Sequence, residues 1–272
     1  LGGLGNQLHQ IAFAKYLEDQ GYKVKVNLEW FHINDFSDGT TPRELHLDIT
    51  NFGLTTMNKQ DKKRMRRHAF LKEQTKLNKL YHSKFNLLTK FNYGNYFDED
   101  KFYKFNYFDG YWQNKKYLNQ KKEMLLDALK NQNEFFNSPS DKENKTMIHI
   151  RKGDYIEWGE ELSLNYFENA IKKLEARIGN FKYDIFTDGE IIKNLELFKS
   201  AQNVFNDLSE NPLTTLSRMR NYENYIISNS SLSFFGAFLS KYENKVVIYP
   251  KPWFKSIDHE PYTEINWSYI ER

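Results

Sequence analysis

The stretch TMIHIRKGDY, residues 146–155, joins a short apolar strand to a glycine-containing turn that carries two adjacent cations. After this stretch, apolar runs of strand length alternate with segments of helical periodicity. The predicted strands are 146–150, 183–186, 225–227 and 246–249, and the predicted helices are 164–178, 211–220 and 233–239. Strands that alternate with helices predict an α/β fold whose sheet is parallel and of the Rossmann type.

The N-terminal segment LGGLGNQ, residues 1–7, is a glycine loop that runs directly into an amphipathic helix. Gly21 follows the helix as a C-cap, and residues 23–28 (KVKVNL) alternate in the manner of a strand. Because a strand normally leads into such a loop, we expect a few further residues before Leu1. The apolar residues that define the helix face are Leu8, Ile11, Ala12 and Leu17.

Three further segments organise the chain. Residues 55–90 are basic and helical in texture, which indicates a solvated helix face or a contact with anionic membrane lipid or a partner. Residues 91–117 are rich in Phe, Tyr and Asn, a composition that suits either a core or the stacking of sugars. Residues 131–145 are polar and contain a proline, so we place the domain boundary there. This predicts an N-terminal domain over 1–140 and a C-terminal domain over 141–272.

The composition excludes several classes of protein. At about 150 residues for each domain, the 272 residues correspond to roughly two domains. The chain has no cysteine, which rules out disulfides, thiolate nucleophiles and cysteine-bound metals. A formal charge of +3 is too small for general binding of nucleic acid. No run approaches the about 18 apolar residues of a membrane-spanning helix, and we expect no signal peptide. The expected location is cytoplasmic, with at most peripheral contact at the inner face of the membrane.

The first candidate motif follows strand 146–150, and ligands of doubly wound folds bind at the carboxyl ends of strands. Arg151 is suited to gripping phosphate oxygens with two N–H groups, and Lys152 adds a point charge. Asp154 is expected to orient these cations or to bind a sugar hydroxyl. The alternative is a strand end that is capped by a solvated ion pair.

Two more motifs are candidates for the same site. IISNSSLSFFGA, residues 226–237, takes a strand into a hydroxyl-rich helix start, which forms either an anion site or an ordinary cap. The glycine loop lacks the G-x-G-x-x-G setting of dinucleotide enzymes, and no P-loop sequence occurs. Asp188 follows strand 183–186 without a second aspartate two residues away, so metal-assisted glycosyl transfer through such a pair is not predicted.

Five blocks, in this order, resemble the bacterial α-1,2-fucosyltransferases of glycosyltransferase family 11 over nearly the whole chain. The resemblance implies a GT-B-like fold, with two Rossmann-like lobes and GDP-fucose in the cleft, bound mainly by the C-terminal lobe. It implies metal-independent, inverting transfer of L-fucose from GDP-β-L-fucose to the 2-hydroxyl of a galactoside, without a cofactor, in bacterial surface-glycan synthesis. The blocks are GGLGNQL at 2–8, FDGYWQNKKYL at 108–118, IHIRKGDY at 148–155, FTDG at 186–189 and IISNSSLSFFGAFL at 226–239.

The resemblance also assigns roles to individual residues. Arg151 and Asp154 are the expected catalytic residues, while the base that activates the acceptor hydroxyl stays open among Asp154, Glu157 and Glu160. The N-terminal lobe is expected to face the acceptor, with its glycine loop reaching the donor. The expected donor-binding residues are Gly5, Asn6, Gln7, His149, Arg151, Lys152, Asp188, Asn229, Ser230 and Ser231.

The chain departs from the family's pattern in the presumed donor lobe. Lys152 stands where the family has a second arginine, and Gly189 stands where it has a second aspartate. SFFGA at 233–237 replaces SWWGA, and Asn224 occupies the place of a histidine. These changes either tune the affinity for GDP-fucose or indicate a different GDP-sugar. They also leave open a sugar- or nucleotide-binding relative that does not catalyse transfer.

Overall fold

The chain folds into two compact units. The first comprises Leu1–Gly2 with Asn6–Leu118, and the second comprises Gly3–Gly5 with Asn119–Arg272. The predicted boundary segment, 131–145, lies largely outside the described residues. The computed structural model describes residues 2–32, 43–77, 89–94, 105–132, 135, 145–190, 195–256, 260–262 and 267–272.

Helix α1 (Leu4–Asp19) begins earlier than the glycine loop predicts, so that Gly5 and Asn6 lie in its first turn. Its C-terminus confirms the predicted cap. Gly21 has a φ of 84° and donates its N–H to the Glu18 carbonyl at 2.9 Å. The next N–H, that of Tyr22, bonds the Leu17 carbonyl at 3.1 Å. Together these two bonds form the Schellman motif that ends a helix on glycine.

The predicted strand 23–28 is wrong. In this segment the structure has a single bridge residue, Val26, which exchanges backbone hydrogen bonds with Thr55 and Met57. The chain then enters a 3₁₀ turn, Glu29–His32. The alternation has a different cause, because Val24 packs its side chain against the aromatic cluster beside α1. The alternating pattern therefore reflects the packing of a side chain and not the pairing of a strand.

The remaining elements of the first unit include the predicted basic helix. Helix α2 confirms a helix within 55–90, of which residues 78–88 lie outside the described part. Strands β1 and β2 are parallel partners. In the aromatic segment, Trp112 is buried and stacks on Phe13 at 4.3 Å between ring centroids, so these rings form core. The elements are α2 (Lys59–Leu77), β1 (Thr89–Tyr93), β2 (Phe105–Asp109) and α3 (Lys115–Leu118).

The second unit is built on one parallel sheet, which confirms the predicted parallel α/β organisation. Its strand order is β5-β4-β3-β6-β7-β8. Every strand and helix predicted after residue 145 is present, with bounds within two residues of those expected. The elements are α4 (Lys122–Lys130), β3 (Thr146–Ile150), α5 (Gly153–Glu157), α6 (Leu164–Ile178), β4 (Tyr183–Thr187), α7 (Glu196–Lys199), β5 (Ala201–Phe205), α8 (Pro212–Met219), β6 (Asn224–Ile226), α9 (Ser231–Phe238), β7 (Val246–Lys251) and β8 (Ser268–Glu271).

The central strands and α6 form the core of this unit. All five residues of β3 and of β4 are buried, as expected for parallel strands covered on both faces. Ser163 caps α6 by accepting the Tyr166 N–H. The apolar face of α6 then packs against the sheet through Tyr166, Phe167, Ala170 and Leu174. Burial of this face gives the helix most of its stability.

Strands β5 and β8 were not predicted. They are the edge strands of the sheet, and each of their residues is either partly buried or exposed. Sequences such as AQNVF in β5 mix polar and apolar residues without the apolar run of a central strand. An edge strand with one neighbour needs little apolar surface, so the hydrophobic pattern gives a weak signal there.

The strand order creates a reversal point in the sheet. From β3 the chain moves outward through β4 to β5, and it then returns to β6 on the opposite side of β3. In doubly wound sheets, ligands bind beyond the carboxyl ends of the strands where the order reverses. Here those ends belong to β3 and β6, and they carry the motifs at 149–155 and 228–231.

No helix in the described part of the chain is long and apolar enough to cross a membrane.

Packing of α9 on α8 requires a glycine at position 236. A Cβ on Gly236 would lie 2.7 Å from the Met219 Cβ. We expect Gly236→Ala to lower the free energy of unfolding by about 1–3 kcal/mol through overpacking, measured as a lower melting temperature in calorimetry. Gly3→Ala is the matched control, because a Cβ there would have no non-neighbouring heavy atom within 4 Å. Equal melting temperatures for the two variants would contradict the packing argument.

Candidate donor-binding site

Arg151 is held between two carboxylates at the carboxyl end of β3. Its Nη2 donates to Asp154 Oδ1 at 2.6 Å, and its Nη1 pairs with Asp188 Oδ2 at 2.5 Å. The guanidinium also lies 5.2 Å from the centre of the Tyr155 ring. Only 21% of the Arg151 side chain is exposed. These contacts fix the plane of the fork before any ligand binds, which lowers the entropy that an anion would cost on binding.

Asp188 ties the end of β4 to the turn after β3. One of its oxygens pairs with Arg151, and the other accepts the backbone N–H of Lys152 at 2.7 Å. The turn must come close to make this bond. A Cβ on Gly153 would lie 2.6 Å from Asp188 Oδ2, and Gly153 has a φ of 27°. The glycine of the RKG sequence is therefore required by the approach of Asp188.

Lys152 points its ammonium to Glu161, with 2.6 Å between Nζ and Oε1. Its aliphatic chain crosses Gly189, where an added Cβ would lie 2.6–3.0 Å from Lys152 Cδ, Cβ and Cγ. Two of the positions at which the chain departs from the family's pattern are thus in direct contact. The lysine is accommodated because residue 189 has no side chain.

His149 connects β3 to the loop after β6. Its Nδ1 lies 2.7 Å from the Ser228 hydroxyl oxygen, and the imidazole is buried. Burial lowers the pKa of His149 to about 4, an effect that Asp188 opposes and Arg151 reinforces. The ring is therefore neutral at pH 7 and acts as an uncharged hydrogen-bonding group. This bond joins the two strand ends that flank the reversal point.

The serine loop begins α9 with hydroxyls that its helix does not use. Ser230 occupies the N-cap position, yet its side chain makes no capping hydrogen bond. Asn229 is fixed on both sides, since its Nδ2 donates to the Glu160 carbonyl and its own carbonyl accepts the Tyr155 hydroxyl. The helix N-terminus and the Ser230 and Ser231 hydroxyls form a set of donors suited to an anion.

The glycine motif meets this serine loop. A Cβ on Gly5 would lie 2.5 Å from the Ser231 hydroxyl oxygen and 2.6 Å from the Leu232 nitrogen. Any side chain at position 5 would therefore displace the start of α9. The structure thus brings Gly3–Gly5 of the glycine motif, the serine loop and the Arg151 turn into the same unit, although the sequence separates them widely.

Asn6 and Gln7 belong to the other unit. Asn6 Oδ1 accepts the side-chain N–H of Gln113 at 2.7 Å. Gln7 is buried, and its amide bonds backbone groups of Gly2, Glu44 and His46. Gln7 therefore holds segments of its own unit together through both ends of its amide.

Glu160, one of three carboxylates considered as the base, is occupied by other partners. Its carboxylate accepts the backbone N–H groups of Lys255 and Ser256 and pairs with Arg272 at 2.8 Å. Burial opposes ionisation, but these hydrogen bonds outweigh it and lower the pKa of Glu160 to about 2. So weak a base with so little free lone-pair capacity is unsuited to accept a proton at neutral pH. Glu157 is exposed, and Asp154 lies against Arg151.

Sequence reasoning missed the partner of Glu160. Arg272 is as buried as Glu160 and donates to the carbonyls of Trp253 and Glu160 as well as to the carboxylate. The pair is separated by 112 residues, and nothing in local spacing or periodicity points to it. Ser228 was visible in the quoted motif, but its role as the partner of His149 depends on the sheet order.

Within the described ranges, no group of three His, Asp or Glu side chains could hold a metal ion.

Comparison with known proteins identifies the family. The family model of glycosyl transferase family 11 matches residues 2–271. The chain belongs to glycosyl transferase family 11. This confirms the resemblance drawn from the five sequence blocks, and it makes the chain a member of a glycosyltransferase family.

Two relatives illustrate the range of family 11. The chain is similar to the O-antigen biosynthesis glycosyltransferase WbnK of Escherichia coli, with 28% identity over 300 residues, covering 98% of this chain and 97% of the relative. It is also similar to an alpha-1,2-colitosyltransferase of Escherichia coli, with 27% identity over 283 residues, covering 93% and 90%. No solved structure matches the chain.

The contact between Lys152 and Gly189 predicts energetic coupling. We expect Gly189→Ala to lower the free energy of unfolding by about 1–3 kcal/mol, because the new methyl group collides with the lysine chain. In a Lys152→Gly background the same change should cost much less. The measurement is a double-mutant cycle by urea denaturation, with an expected coupling of about 1–2 kcal/mol. Strictly additive effects would disprove the coupling.

Burial of neutral His149 predicts a loss of stability in acid. The unfolded chain takes up a proton near pH 6.5, whereas folded His149 does so only near pH 4. The unfolded state thus binds more protons between these values, and the free energy of unfolding falls as the pH drops through this window, by up to about 3 kcal/mol. His149→Asn should remove this share of the pH dependence, measured by denaturation at pH 7 and near pH 4. His32→Asn, at an exposed position, is the control and should keep the wild-type profile. An unchanged profile in His149→Asn would contradict the prediction.

Proposed function

We propose that this member of family 11 is an inverting, metal-independent fucosyltransferase of bacterial surface-glycan synthesis. It transfers L-fucose from GDP-β-L-fucose to the 2-hydroxyl of a galactoside, forming an α-1,2 linkage. The acceptor is a galactose-containing oligosaccharide or glycolipid. Family membership over 2–271 supports glycosyl transfer, and the relative named for O-antigen biosynthesis supports the glycan context.

The observation that carries the proposal is the orientation of the Arg151 fork by Asp154 and Asp188. A fork held at the carboxyl end of β3, next to the strand that leads into the serine-rich start of α9, suits a diphosphate. We propose a GT-B arrangement with lobes at 1–140 and 141–272, with the donor between them. In this proposal the donor contacts Gly5, Asn6, Gln7, His149, Arg151, Lys152, Asp188, Asn229, Ser230 and Ser231.

The proposed chemistry depends on charge that develops on the leaving GDP. As the glycosidic bond stretches, negative charge accumulates on the diphosphate oxygens. Arg151 and the donors at the start of α9 are oriented beforehand, so they stabilise this charge without reorganising. One such donor is worth about 3 kcal/mol of transition-state stabilisation. No metal ion is required for this role.

Asp154 is the proposed base. Glu160 is excluded by its partners, and Asp154 lies next to the guanidinium that would meet the diphosphate. In the absence of donor, Asp154 Oδ1 accepts the hydrogen bond of Arg151 Nη2 at 2.6 Å. When diphosphate oxygens take over the guanidinium, this carboxylate oxygen is released and can accept the proton of the acceptor hydroxyl. This order of events couples donor binding to activation of the acceptor.

A second donor is favoured by the similarity to an alpha-1,2-colitosyltransferase. Colitose is fucose without the 3-hydroxyl group. A site built to bond a hydroxyl rejects the analogue that lacks it by about 10⁴-fold or more, whereas a pocket that merely tolerates a hydroxyl discriminates by about 10². The ratio of kcat/KM for the two GDP-sugars therefore identifies the donor for which the site is built.

The test is a GDP-release assay in EDTA, with GDP-fucose, GDP-colitose and GDP-mannose, with and without a β-galactoside. We expect acceptor-dependent release from GDP-fucose and a loss of kcat of about 10²–10³-fold in Arg151→Ala. Arg177→Ala, an exposed arginine on α6, is the matched control and should retain activity.

Each outcome decides between the readings. Preferential release from GDP-colitose would keep the site and replace the sugar. Dependence on added metal would overturn the metal-independent mechanism. If no donor releases GDP but calorimetry shows GDP binding that Arg151→Ala abolishes, the chain is a binding relative without transfer. Absence of GDP binding would overturn the donor site itself.

A further inference from the structure

Positive charge is concentrated on helix α2. Its 19 residues contain eight lysines and arginines against two acidic residues, a formal charge of +6. The whole chain carries only +3, so the rest of the molecule is formally −3. A surplus of this size on one helix is a local property that the net charge of the chain conceals.

Part of this charge is neutralised by carboxylates of the same unit. Asp61 pairs with Lys25 and Arg64. Glu29 pairs with Arg66 and approaches Lys62. Three of these four pairs attach α2 to Lys25 and Glu29, and the fourth, between Asp61 and Arg64, lies within the helix.

Three other basic residues of α2 have no described ion-pair partner. Lys59, Lys63 and Arg67 are exposed and follow one another at four-residue spacing, which places them in a row about 12 Å long. No described carboxylate lies within ion-pair distance of any of the three. The row ends one turn beyond Arg67 at Phe70, a residue that is 59% exposed. We call these four residues the α2 cationic row.

We propose that the α2 cationic row docks the protein onto an anionic phospholipid surface. Three exposed cations without a described counter-charge attract acidic headgroups, and the exposed phenyl ring gains free energy by entering the boundary between headgroups and acyl chains. The inference rests on the charge and exposure of α2 alone, and it stands or falls independently of the proposed sugar donor.

The chemistry of the row favours lipid over nucleic acid or an acidic protein. Cations on the convex surface of a helix with a single aromatic ring fit a fluid layer of headgroups, which needs no fixed partner geometry. Single-stranded nucleic acid is instead bound in a basic groove with several stacking rings. A specific acidic partner would require a shaped surface with paired hydrogen bonds at its centre.

The test is co-sedimentation of the full chain with vesicles of phosphatidylcholine alone and with phosphatidylcholine containing phosphatidylglycerol. We expect binding only to the anionic vesicles, weakening with salt. Each basic residue near such a surface strengthens binding about fivefold, so Lys59→Gln/Lys63→Gln/Arg67→Gln should bind about a hundredfold more weakly. Phe70→Ser should also weaken binding, and this loss should persist at high salt because it is apolar in origin.

The control is Lys172→Gln/Arg177→Gln/Lys182→Gln, which removes the same charge from exposed positions of the second unit. It should retain binding to anionic vesicles. Melting temperatures establish that each variant is folded. Equal losses in both triple variants would reduce the effect to net charge and overturn the proposal. Equal binding to both kinds of vesicle would overturn it too, as would a preference for an RNA oligonucleotide or polyglutamate over anionic lipid.

Discussion

The second unit is organised around one guanidinium that must remain charged at the end of a buried strand. Taking the Arg151 charge most of the way out of water is costly unless hydrogen-bonded counter-charges replace the water. Asp154 comes from the next turn, but Asp188 comes from another strand, so its position depends on the sheet. The parallel register sets Ile150 opposite Thr187, which brings the residues after these two strands side by side. A slip in this register would leave the guanidinium without Asp188.

The same constraint explains several local sequence choices. Asp188 reaches the turn only because residue 153 is glycine, and the lysine chain passes only because residue 189 is glycine. Lys152 and Gly189 looked like two separate departures from the family's pattern. Their contact makes them one change, in which a long chain occupies space left by an absent side chain and ends on Glu161.

How far the sequence predicts the structure depends on the range of the interactions. Central strands such as β3 and β4 are buried on both faces, so their apolar runs predict them, whereas edge strand β5 has no such run. The alternation at 23–28 predicted a strand wrongly, because Val24 packs against an aromatic cluster without a paired strand. The residues of the site were visible as motifs at strand ends. Their partners were not, since the pair of Glu160 and Arg272 spans 112 residues, and the contact of Gly5 with Ser231 depends on the fold.

The charged side chains around Arg151 orient one another and give the site no net positive charge. Arg151, Lys152 and Arg272 face four carboxylates, Asp154, Asp188, Glu160 and Glu161, so these seven side chains sum to a formal −1 with His149 neutral. The formal charge of this set therefore offers an anionic ligand no net attraction. In the proposed donor site, affinity for a diphosphate comes instead from oriented groups, namely the N–H groups and hydroxyls at the start of α9 and the Arg151 guanidinium. Under this proposal an anion must replace Asp154 at Arg151, because otherwise it adds its charge to a set that is already formally negative, and the site thus selects its ligand by geometry.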